Sequence, residues 1–153
     1  MRRLLYTDTM GWMGSVGFLA IRLVMGVAFV FHGWPKIQDP TGWMGPEAPY
    51  PAVLLALAAA SEFGGGIALI LGLFTRVGVL GIASVMVTAI TTVHLAQGHP
   101  FVSRGPGSSY ELPAVYLACA VLLLIAGPGR YSLDALLFGR AIKTQQNETG
   151  GGQ

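Results

Sequence analysis

Apolar residues fall into four long blocks separated by polar or Gly/Pro-rich breaks, about Val16–Gly33, Ala52–Phe74, Val77–Ala96 and Glu111–Ala126. A helix needs about 20 residues to cross about 30 Å of hydrocarbon. The blocks therefore predict an all-α, membrane-spanning four-helix bundle whose fourth span is the shortest. The link between the second and third blocks is only Thr75-Arg76, so these two spans form an antiparallel hairpin. The first loop, Trp34–Pro51, is long and carries five prolines together with Trp34, Trp43 and Tyr50, aromatic types that settle at a membrane interface. The third loop, Gln97–Tyr110, is rich in Gly, Pro and Ser.

Gly127-Pro128-Gly129 is a helix stop after the fourth block. Behind it, Tyr131–Phe138 alternates apolar and polar positions, with Ser132 placed as an N-cap. This predicts a short amphipathic helix on the membrane surface. Residues 1–143 then form one transmembrane domain, and 144–153, all polar or Gly, form a disordered tail. Arg2 and Arg3 resemble the start of a signal peptide, but Arg22 interrupts the apolar run and no convincing cleavage site follows. The first block is therefore taken as a retained span.

Composition agrees with a bilayer. Hydrophobic residues make up 53% and charged residues 10%, against about 25% charged in a soluble domain. The net charge is +2 and the basic residues are scattered, so nucleic acid is not a predicted partner. The single cysteine, Cys119, lies in the fourth block, which excludes an intrachain disulfide and dithiol chemistry. Arg2, Arg3, Arg76, Arg130, Arg140 and Lys143 fall on one side of the predicted membrane, against Lys36 and Arg104 on the other. This asymmetry predicts both termini in the cytoplasm, and a multi-pass protein of the bacterial or archaeal cytoplasmic membrane.

The second block carries Ala52, Ala56, Ala60, Gly64, Ala68 and Gly72 at four-residue steps. Small residues let helices approach closely in lipid. Packing inside the bundle is the favoured reading of this ridge, and a homo-oligomer contact through the second helix is the alternative.

Ionisable groups at membrane depth usually face the bundle interior. The candidates for a polar site are Arg22, His32, Lys36, Glu62, His94 and Glu111. At about 1.5 Å per residue, Arg22 lies about 9 Å from the cytoplasmic boundary, Glu62 about 18 Å, and His32 and His94 about 24–26 Å. Side chains lean toward their helix N-terminus, so His32 and Glu62 on antiparallel spans lean toward each other. His32 is the expected first partner of Glu62 and Arg22 the second, while Lys36 is placed to meet Glu111. Three readings stay open: a polar cluster that fixes helix register, a quinone, proton or small-substrate site on the outer half of the bundle, and haem or metal ligation by His32 and His94. No metal site is assigned.

RLVMGVAFVFHGWPKI (22–37), SEFGGGIALILGLFTR (61–76), YEL (110–112) and GPGRYSLD (127–134) occur in this order. Together they resemble the DoxX family of small four-helix bacterial and archaeal membrane proteins, over roughly Val16–Leu137. Pro35, inside the HGxxK segment, and the Pro-rich first loop are individual to this chain. Pro35 removes a helix hydrogen bond and is expected to kink the first helix beside His32.

The resemblance implies a redox-associated membrane role, because the family takes its name from a subunit linked to quinone-dependent oxidation, thiosulfate:quinone oxidoreductase included. No GxGxxG, CxxC or cysteine cluster is present, so such a role would need a bound quinone or a partner oxidoreductase subunit. The leading expectation is a membrane subunit or accessory of a quinone-linked redox system. The alternatives are a structural membrane protein without chemistry and, with little room for alternating access, a small-solute carrier.

Overall fold

The computed structural model describes residues 11–139, and among these every regular element is helical. Helix α1 is Trp12–Gln38, α2 is Ala52–Leu71, α3 is Thr75–Thr88 and α4 is Glu111–Ala126. A π-helical segment, Ala89–Leu95, continues α3, and a π-helical turn, Ala135–Gly139, follows α4. Arg2, Arg3, Arg140, Lys143 and the predicted tail lie outside the described residues.

Among the described residues, three helices are long and apolar enough to cross a membrane: α1, α2, and α3 with its π-helical continuation to Leu95. The fourth, α4, has 16 residues, about 24 Å of helix, and falls short of the usual length. The first block is longer than its apolar pattern predicts. Helix α1 starts four residues earlier, at Trp12, and runs through Pro35 to Gln38.

The α2–α3 turn shows how the sequence ends one helix and starts the next. Gly72 takes a left-handed conformation (φ 66°). Its N–H reaches the Leu69 carbonyl at 3.2 Å and that of Leu73 reaches Ala68 at 3.0 Å, the paired closure of a Schellman motif. Thr75 and Arg76, read from sequence as the connection, already belong to the first turn of α3. The orphan N–H groups there are capped from a distance. The Asp134 carboxylate accepts from the Phe74 N–H at 2.8 Å and the Thr75 N–H at 3.0 Å.

The helices pack in the order α1–α2–α3–α4, with α1 and α4 touching only weakly. The core joins Phe18, Met25 and Phe29 of α1 with Leu69, Val79, Ile82, Ala120 and Leu123. Close approach does rest on small residues, but on only part of the four-residue ridge: Ala68 lies against Gly78, and Gly72 against Arg22. A Cβ on Gly66 would meet the Val30 nitrogen at 2.7 Å and the Gly26 carbonyl at 2.8 Å, and one on Gly33 would overlap the Phe63 backbone. Gly65 faces Gly78 across the α2–α3 seam. Of the ridge, Ala60 and Gly64 face outward, and a Cβ on Gly64 would meet nothing. The reason is geometric: a four-residue step advances about 40° beyond a full turn, so a long row of such steps cannot stay on one face.

Candidate functional site

The six candidate residues separate into two groups at opposite ends of the bundle. At the α2–α3 turn, Arg22 is fully buried. It donates from Nε to the Leu69 carbonyl (2.9 Å), from Nη1 to Pro128 (3.0 Å) and Tyr131 (2.7 Å), and from Nη2 to Ile70 (3.3 Å). These acceptors are the freed carbonyls at the end of α2 and those of the chain leaving α4. The planar guanidinium, with donors in a fixed fork, suits such a convergence. Asp134 is also fully buried, and its N–H donates to the Gly72 carbonyl at 2.8 Å. Ser132 helps set this segment: its hydroxyl accepts from the Ala135 N–H at 3.0 Å, the role of an N-cap. Arg22 is thus a clasp for the turn and not a partner of Glu62.

At the loop end, Lys36 takes the place expected for His32. Lys36 Nζ lies 2.5 and 2.7 Å from the two Glu62 carboxylate oxygens, with the Glu62 side chain 3% exposed and that of Lys36 23%. The correction has a local cause. Gly33 presses α1 against the backbone of Phe63, the residue beside Glu62. Lys36 sits one turn beyond, with a stem long enough to lean back along its own helix. His32 instead lies by Phe29, ring centroids 6.2 Å apart. Lys36 does not meet Glu111, which is exposed at the start of α4. Lys36 Nζ also stands 4.5 Å from the centre of the Trp43 ring, a cation–π arrangement.

The pair borders a cavity of about 750 Å³ lined by His32, Lys36, Glu62 and His94 among mostly apolar residues from all four helices. Arg22 and Glu111 are not part of its wall. The Pro-rich first loop folds over it. Trp43 Nε1 donates to the Leu55 carbonyl at 3.2 Å, and Tyr50 Oη donates to Thr92 Oγ1 at 2.6 Å. His94 belongs to the π-helical segment, a helix form that often marks functional sites. Its Nδ1 lies 3.2 Å from Nδ1 of His99, so its neighbour is a third-loop histidine. Among the described residues, no three His, Cys, Asp or Glu side chains gather as a metal-binding group.

The sequence reading missed Asp134, Tyr50, Thr92 and His99 as site-forming residues. Only Asp134 had a local signal, its position behind Ser132 in the segment after the helix stop. The others are joined by contacts between distant loops and helices.

A family model described as DoxX matches residues 17–95. "Inner membrane protein YqjF" of Escherichia coli (strain K12) is 34% identical over 80% of this chain and 93% of its own length. The chain belongs to the DoxX family. "Putative oxidoreductase CatD" of Bacillus subtilis (strain 168) is 31% identical over 81% of this chain and 89% of its own length. No solved structure matches. The DoxX match holds the Arg22 side chain, the Lys36–Glu62 pair and the π-helical segment, and ends before the third loop, α4 and Asp134.

Proposed function

We propose that this DoxX-family protein crosses the cytoplasmic membrane four times, with both termini in the cytoplasm. In this reading it holds a lipid-soluble quinone in the loop-end cavity, as the membrane subunit or accessory of a partner oxidoreductase. The observation that carries the reading is the cavity: apolar walls, enough volume for a quinone ring, and a buried ion pair at its polar edge. Pockets for small molecules have this composition, a mainly apolar lining with a few placed polar groups. Lys36 has three N–H donors, two of which serve Glu62. The third is the donor for a ligand carbonyl, with His32 and His94 as further polar groups on the wall.

Two findings support the wider reading. Helix α4 reaches from the cavity, which Leu112, Pro113 and Tyr116 line, to the opposite end, where the Pro128 and Tyr131 carbonyls just beyond it accept from Arg22. A short span is accommodated by local thinning of the bilayer. The names of the two relatives, "Inner membrane protein YqjF" and "Putative oxidoreductase CatD", point to the same setting.

The test is extraction in mild detergent followed by quinone analysis of the purified protein. Wild type should retain quinone in stoichiometric amount, and a Lys36→Met variant should lose it. Wild-type protein that carries no quinone, and takes up none when it is added, would leave a structural membrane protein as the better account.

A further inference from the structure

The cavity opens sideways between α2 and α3. Three features frame the opening. On one side, Gly81 meets Ser61: a Cβ on Gly81 would stand 2.9 Å from Ser61 Oγ. Helix α2 and α3 are therefore in close contact from this level down to the Gly65–Gly78 seam. On the other side, the Tyr50–Thr92 hydrogen bond ties the start of α2 to the π-helical segment. Between these two ties, Leu54 and Leu57 of α2 and Ser84 and Thr88 of α3 all line the cavity and all face outward. Exposed wall residues on two facing helices, between two ties that hold those helices together, mark an aperture. Across the bundle, the Phe29 and Tyr116 rings, 5.0 Å apart, close the α1–α4 seam at the inner end of the cavity, while His32 and Leu112, also exposed and on the wall, lie on that side nearer the loops.

The chemistry of the frame suits hydrocarbon. Leu54 and Leu57 are apolar. The hydroxyls of Ser84, Thr88 and Thr92 donate to the carbonyls of Leu80, Ser84 and Thr88, four residues back along their own helix. Each hydroxyl proton is thereby used within the helix, and no free donor is left to repel an apolar chain. The polar groups Lys36 and Glu62 lie inside, past the aperture.

We infer that this aperture is the membrane entrance of the cavity, and that its occupant is the isoprenoid tail of a lipid-soluble quinone whose ring sits inside by Lys36 and Glu62. The inference rests on the quinone reading above and adds the route and the orientation. An amphipathic ligand dissolved in the bilayer reaches the ring site without leaving the hydrocarbon, and its tail remains between α2 and α3.

The experiment compares a long-tailed isoprenoid quinone with a tail-less quinone of the same ring, binding to purified wild-type protein and to an Ala58→Phe, Ser84→Leu variant that narrows the aperture. The long-tailed quinone should lose at least about tenfold in affinity, while the tail-less one keeps its own. Unchanged affinity of the variant for both, or equal losses, would overturn the entrance. Failure of wild type to bind either quinone would overturn the quinone reading itself. A quinone with a photoactivatable tail supplies a measurement on unmutated protein. Crosslinks at Leu57 and Ser84 agree with the entrance, whereas crosslinks at His32 and Leu112 place the tail between α1 and α4 and overturn it.

Discussion

Lys36 on α1 and Glu62 on α2 form a two-point ion pair, Nζ lying 2.5 and 2.7 Å from the carboxylate oxygens, at the wall of an apolar cavity. Both charges are costly at membrane depth when alone. Their partnership explains how two ionisable residues persist in a chain with so few.

The pair should be asymmetric to mutation. Lys36→Met strands an almost fully buried carboxylate and should cost about 3–5 kcal/mol. Glu62→Leu should cost less, because Lys36 is partly exposed toward the cavity. The double variant should be more stable than the sum of the two losses implies. Thermal unfolding in detergent reads all four corners of the cycle. A matching cycle on His32→Phe and Glu62→Gln should be additive, because His32 makes no bond to Glu62.

Arg22→Lys should destabilise the protein despite keeping the charge. A lysine ammonium cannot reproduce a planar fork directed at four carbonyls, and hydrogen bonds to a charged group contribute about 1.5–3 kcal/mol each. Asp134→Ala removes the remote cap of α3 and should cost about 1–2 kcal/mol. Hydrogen exchange at the Phe74 and Thr75 amides should rise in Asp134→Ala. Unchanged protection there would show that the cap is not formed.

Glycine substitutions should divide by face. Gly66→Leu forces a side chain into the α1 backbone and should cost about 3 kcal/mol or more, at or above the upper end of ordinary overpacking. Gly64→Leu meets open space and should leave monomer stability unchanged. Crosslinking of the Gly64→Leu variant separates the remaining cases: a dimer present in wild type and lost in the variant would assign the outward Ala60–Gly64 surface to a homo-oligomer contact.

Topology is read by cysteine labelling in a Cys119→Ser background. Gly105→Cys in the third loop should react with a membrane-impermeant maleimide added to intact cells, and Arg130→Cys should react only after permeabilisation. Reaction of both from outside would mean that α4 does not cross.

The helical class and the start of α4 at Glu111 were legible in the sequence, because hydropathy over about 20 residues is a local property that a bilayer reads directly. Lys36 and Glu62 were legible as candidates for a related reason: a charge in or beside an apolar block stands out wherever the chain folds. Their partners were not. Depth and lean favoured His32 for Glu62, but the close contact at Gly33 and the longer reach of Lys36 decided the pairing. Arg22 was assigned by carbonyls from two separate segments, and the cavity roof by a tyrosine 42 residues from its threonine partner. Such contacts depend on the rotation and spacing of whole helices, which a one-dimensional pattern does not encode.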